Sequence, residues 1–202
     1  MRACFASIFL TALACAQDPY TTAPKNYQLE FENEYVRVSR VKYEPGEKVA
    51  VHTHPSYPTA YVYLTDAGPI RFVHITPKIT VQRAAVKAGG VRFNYNPQPE
   101  THETEYLGKE PCEYLRIELK TPPAPPHRDA RLRNDTDFPW EDAQVRISRA
   151  RGSVAPKRPA VIVNITDRSF AWFDPKTTPP PTSDGGLRIV VELLGELQVK
   201  TD

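Results

Sequence analysis

The chain has 202 residues, enough for one large domain or two small ones, and its 25% charged and 40% hydrophobic residues exclude wholesale disorder. A formal charge of +2 excludes a strongly basic surface of the kind that gathers nucleic acid. The 21 prolines are about twice the usual share of ~5% and exclude a largely helical protein, because proline breaks helix interiors; short strands joined by rigid turns are expected instead.

Residues 1–16 read as a signal peptide. Arg2 supplies a minimal positive start, Ala3 to Ala14 is an apolar run too short to span a bilayer, and Ala14-Cys15-Ala16 is a small-residue cleavage site before Gln17. The protein is therefore expected to be secreted or periplasmic, with acylation of Cys15 as the lipoprotein alternative and no transmembrane helix. Cleavage removes Cys4 and Cys15, so Cys112 stays alone and no internal disulfide is expected. Set in a strand-like stretch, Cys112 reads as a small buried apolar residue rather than a nucleophile.

Strand signals dominate from residue 27. Tyr35 to Val41 alternates apolar and polar residues with period two, Glu44-Pro45-Gly46-Glu47 is a turn, and Val49 to His54 is extended up to Pro55. Further strands are expected at Thr59 to Thr65, Arg71 to Ile75, Ile79 to Ala84, Gly90 to Tyr95 and Glu113 to Leu119. Thr121 to Pro126 is a stiff proline-rich linker. Arg128, Arg131 and Arg133 follow it, interleaved with acids and amides as in a solvated connector.

Beyond the linker the chain echoes itself. Val145-Arg146-Ile147-Ser148-Arg149 repeats Val36-Arg37-Val38-Ser39-Arg40, Pro159 to Asp167 echoes Pro58 to Asp66, and Leu187-Arg188-Ile189 echoes Leu115-Arg116-Ile117. The order is kept and the offset shrinks, as in a second copy that has lost loops. No histidine follows His127, so the second copy is read as structural, packing against the first. Asp135 to Asp142, with Phe138 and Trp140, reads either as an exposed recognition loop or, preferably, as the place where those rings pin the second copy to the first.

Gly46-x5-His52-x-His54 carries the chemistry. Residues i and i+2 of a strand share a face, so His52 and His54 project two imidazoles into one space, the start of a transition-metal site. Here the chain resembles the cupin superfamily. The first cupin motif falls on Gly46, His52, His54, Thr59 and Asp66, with Thr59 in the glutamate slot and Asp66 in the terminal glycine slot. The second falls on Gly90, Pro97, Pro99, His102 and Tyr106, with one extra residue before Pro97 and Tyr106 in the asparagine slot.

The resemblance implies an all-β, double-stranded β-helix (jelly roll) over residues 27–120, preceded by an arm at 17–26 and followed by a linker at 121–133 and a shortened, degenerate cupin-like half at 134–202. It implies metal ligands His52, His54 and His102, three imidazoles without the carboxylate, as in the thiol dioxygenase branch. Fe(II) is the first expectation, with zinc, manganese or nickel also suited to imidazole. Thr59 and Glu100 are expected in the second shell, Glu100 either replacing the lost acid or orienting an imidazole.

Tyr61 and Tyr63 share a strand face with Thr59. They are candidates for positioning a substrate or acting as acid or base, beside the plainer reading of barrel core. His74 and His127 match no motif slot and read as surface or turn residues. The expected activity is a metal-dependent, oxygenase-type reaction on a small organic substrate. Against it stand histidines that are merely hydrogen-bonded core, and a non-catalytic binding or structural module. A serine hydrolase is not indicated, since no Gly-x-Ser-x-Gly is present. The expected partner is a small molecule, with no nucleic acid; a homodimer through sheet edges is also open.

Overall fold

The computed structural model describes residues 18–121, 135–179 and 185–195. The expected leader, Cys15, His127, the three linker arginines and most of the proline-rich linker lie outside the described residues. No described helix is long and apolar enough to cross a membrane. One short helix, α1 (Pro19–Thr22), starts where the Asp18 carboxylate accepts from the Tyr20 N–H, with Pro19 in the first turn. The rest of the described residues are strand and loop.

Nine strands build the first unit: β1 (Tyr27–Glu32), β2 (Val36–Tyr43), β3 (Lys48–His54), β4 (Thr59–Tyr63), β5 (Ile70–His74), β6 (Ile79–Arg83), β7 (Val91–Asn94), β8 (Glu100–Tyr106) and β9 (Cys112–Leu119). They form two antiparallel sheets, ordered β1-β2-β9-β4-β7 and β3-β8-β5-β6, and the chain repeatedly crosses from one to the other. That winding is a jelly roll. The turn into β3 needs Gly46, whose φ of 73° lies in the left-handed region.

The period-two pattern decides which side chains meet. On β4 and β9, Tyr61, Tyr63 and Tyr114 join Val41 and Tyr43 of β2 and face Val49, Ile70, Phe72 and Tyr106 of the second sheet. The opposite face of the first sheet offers Val36, Val38, Ala60, Val62, Leu115 and Ile117. It is covered by a third sheet, made of β10 (Trp140–Glu141), β11 (Val145–Arg151), β12 (Ala160–Asn164), β13 (Ser169–Phe173) and β14 (Leu187–Leu193). Val145, Ile147, Val161, Val163, Ile189 and Val191 supply its side of one continuous core. The first sheet is thus the middle layer of three.

The third sheet repeats the middle one strand for strand: its order is β10-β11-β14-β12-β13, against β1-β2-β9-β4-β7. The matching extends to hydrogen bonds. The Leu119 N–H donates to the Pro58 carbonyl, and the Leu193 N–H to the Pro159 carbonyl, both at 2.8 Å. The Asn33 side chain accepts from the N–H groups of Tyr35 and Val36, as Asp142 does from Gln144 and Val145. The third sequence echo is out of register by two residues. Val36 pairs with Leu119 and Val145 with Leu193, which makes Ile189, not Leu187, the counterpart of Leu115. Among the described residues the second part has no counterpart of β3, β5, β6 and β8, the sheet that carries the histidines.

Candidate metal centre

β3 and β8 are neighbours and pair His52 with His102 and His54 with Glu100, while β8 and β5 pair His102 with His74. Parity and register together therefore turn His52, His54 and His102 toward the middle sheet. All three are buried, with His52 0% exposed. One ligating nitrogen from each lies within 4.8 Å of the others.

Two features orient the rings. His52 Nδ1 is 2.8 Å from the Ala50 carbonyl, a contact only an N–H can make favourably, which leaves Nε2 with its lone pair. His102 Nδ1 is 3.3 Å from Glu100 Oε1, the carboxylate–imidazole arrangement that holds a ligating ring in place. Of the two roles open to Glu100, orienting His102 is the one this contact serves.

His52 Nε2 and His54 Nε2 are 3.1 Å apart. Either one carries a proton that the other accepts, or both lone pairs face a common cation. Metal–imidazole bonds of ~2.0–2.1 Å put two such nitrogens about 3 Å apart, so the spacing suits an ion. Neither ring nitrogen of His102 has a well-formed hydrogen bond; Nδ1 has the Glu100 carboxylate near it, and for the buried Nε2 a shared cation would relieve a costly state. The donor set therefore fits a divalent transition metal.

Burial is the main cause that lowers all three imidazole pKa values. His52 falls to about 4, the Ala50 contact opposing the shift in part. His54 lies well below the usual histidine range, and His102 is lowered despite its bond to Glu100. All three are neutral at pH 7, the form that binds metal. Burial on its own would raise the Glu100 carboxyl. The close contact with His102 and the charges of His102, Arg83 and Arg116 outweigh it and bring Glu100 to about 2.

The other expected residues lie on the middle sheet. The buried Tyr61 hydroxyl accepts from Arg116 Nη1 at 2.9 Å. The Tyr63 ring packs 5.2 Å from Tyr114. The hydroxyl of Thr59 is committed to the Tyr57 carbonyl and to Asn96. Burial lifts the Cys112 thiol to about 11, which suits a packing residue.

The rings that touch the histidines are others. Tyr27 lies 5.1 Å from His52 and 5.4 Å from His54, and Phe72 lies 5.2 Å from His102. His74, expected at the surface, is half-buried instead. Its ring is 5.6 Å from His102, and its Nδ1 is 3.5 Å from the same Glu100 oxygen. The available signal was parity, since His74 follows Ile70 and Phe72 on the inward face of β5.

The space between the sheets also holds a buried ion pair, Arg116 Nε to Glu118 Oε1 at 2.9 Å. A chain wound between two facing sheets, with the imidazoles of adjacent strands turned inward, decides the architecture. Residues 27–119 form a double-stranded β-helix, the fold that the cupin resemblance implies. No family model matches the chain, and no curated protein does. Solved structures similar to the cupin unit include a cupin domain from Bordetella pertussis Tohama I, at 21% identity and a TM-score of 0.39, covering 46% of this chain and 91% of that one. A predicted oxalate decarboxylase from Thermotoga maritima is 23% identical, with a TM-score of 0.32 and coverage of 46% and 77%. An RmlC-like cupin family protein with a double-stranded β-helix fold, from Methanocaldococcus jannaschii, is 11% identical, with a TM-score of 0.35 and the same coverage. These likenesses concern the fold and say nothing of ligand or activity.

Proposed function

We propose that this is an exported, metal-binding cupin whose centre is His52, His54 and His102, and that it acts on a small organic substrate in an oxygenase-type reaction. One observation carries the reading: three buried, neutral imidazoles converge within 4.8 Å, and one of their inward nitrogens has no other partner. A bound divalent metal would supply Lewis-acid or dioxygen chemistry there. The protein's own part is positional. Ala50 and Glu100 hold two rings by their far nitrogens, Tyr27 and Phe72 wall the site with apolar surface, and Arg116 ties down the Tyr61 hydroxyl. Iron(II) remains the first choice, and zinc, manganese and nickel suit the same ligands.

Elemental analysis of the native protein tests the centre. About one equivalent of metal is expected in the wild type and none in His54→Ala, whereas a protein that takes up no metal under any loading condition rules the centre out. Oxygen uptake by the iron-loaded protein with thiols, phenols or diketones tests the reaction class. The tying of Thr59, which stands in the glutamate slot, to Tyr57 and Asn96 favours a second reading, a non-catalytic binding module; metal without oxygen uptake would select it. Export predicts a mature N-terminus at Gln17, readable by intact mass.

A further inference from the structure

At the edge of the middle sheet lies a cleft of about 360 Å³ whose lining includes Tyr61, Arg83, Arg92, Phe93, Pro139 and Trp140. Two features set it apart from the histidine cluster. Its walls come from both parts of the chain, since Pro139 and Trp140 precede and open the third sheet. Its charged groups are two arginines and no acid.

Arg83 has no carboxylate partner among the described residues. Its guanidinium is held by aromatic faces, 4.4 Å from the Phe72 centroid and 5.3 Å from that of Tyr61. Such stacking fixes the plane of the fork and leaves its edge N–H groups for a planar anion. Arg92 gives one N–H to the Ala84 carbonyl at 2.7 Å, while its Nε is buried with no partner. The facing wall is apolar and rigid. The Trp140 ring lies 4.9 Å from Phe93, and its Nε1–H donates to Asp142 Oδ2 at 2.8 Å. Asp142 also accepts from the Tyr95 hydroxyl and from the N–H groups of Gln144 and Val145, so its charge is already satisfied. Phe72, on which Arg83 stacks, is the ring that touches His102.

We infer that the cleft binds a small organic carboxylate with a planar apolar body, its carboxylate on Arg83 and Arg92 and its body against Phe93 and Trp140, so that the third sheet completes the binding site of the cupin unit. The inference rests on the metal-centre reading only in taking that acid to be the substrate; binding itself needs no metal.

The probe is benzoate, titrated calorimetrically into the full-length, chelator-treated protein. Saturable one-to-one binding is expected, weakened at least tenfold in Arg83→Gln and less in Arg83→Lys, which keeps the charge but loses the planar fork. Benzamide and inorganic phosphate are expected to bind at least tenfold more weakly than benzoate. Absence of saturable benzoate binding, equal affinity in Arg83→Gln, or equal binding of benzamide or phosphate overturns the assignment. Trp172→Phe leaves Trp140 as the one tryptophan of the chain. Its emission is expected to change on benzoate saturation in step with the calorimetric curve, and an unchanged emission overturns the shared wall. Because the titration is done without metal, failure of the metal centre and failure of this site are read separately.

Discussion

Glu100 shows how one side chain ties the centre together. Its Oε1 stands 3.3 Å from His102 Nδ1 and 3.5 Å from His74 Nδ1, and burial magnifies both interactions. Glu100→Gln keeps the shape but removes the charge that holds the ring and raises its basicity. Loss of such a partner is expected to weaken metal affinity by roughly 10–100-fold without abolishing it. Competition with a chromophoric chelator measures this, and unchanged affinity would mean that the carboxylate does not support His102. His74→Gln is expected to have a smaller effect, since His74 reaches the centre only through Glu100 and ring contact. At this scale the sequence was legible where spacing alone sets geometry, as in His52-x-His54. It was silent where partners come from distant strands. Nothing in Tyr27 or His74 taken singly marks either as a neighbour of His52 or His102. Nothing in the sequence marks Arg116 and Glu118 as the buried pair they form.

Among the elements, the turn at Asp142 joins the two sheets that share a core. Its carboxylate is 1% exposed and takes four hydrogen bonds, two from the backbone N–H groups that start β11 and two from Tyr95 and Trp140. Asp142→Ala leaves all four donors without this acceptor, at a cost of about 1–3 kcal/mol for each one left buried and unsatisfied. A clear fall in the urea midpoint is expected, while Asp142→Asn, which keeps an acceptor oxygen, should fall less. Equal midpoints for Ala and the wild type would remove this turn from the account of how the third sheet docks. Most strands of the first unit were visible in the sequence, because β-branched and aromatic alternation is a local property. β8 is not visible in the same way: it is the polar run Glu100 to Tyr106, so pairing with β3 and β5 rather than propensity makes it a strand. The two-residue slip of the third echo has the same origin. Leu187 and Ile189 are equally good strand residues, and only register with β11 distinguishes them.

The described residues form a three-layer stack in which the middle sheet is buried on both faces, and the interior on one side holds titratable groups. That placement makes global stability depend on pH. The buried imidazoles have lowered pKa values, His52 to about 4 from 6.5, so in acid the unfolded chain binds more protons than the folded one. Their contribution is complete well above pH 6.5 and is lost as pH falls below it, in the case of His52 toward about 4. Glu100, lowered to about 2 from 4.5, then removes further stability as pH falls from 4.5 toward 2. Each group that differs by a full proton between the two states changes stability by about 1.4 kcal/mol per pH unit. Urea midpoints of the chelator-treated protein are therefore expected to be flat from pH 8 to 7 and to fall steeply between pH 6 and 5. His54→Gln should make that fall shallower by about one proton's worth. A midpoint independent of pH over this range would show the imidazoles to be as free to protonate as in the unfolded chain, which a position between two packed sheets does not allow.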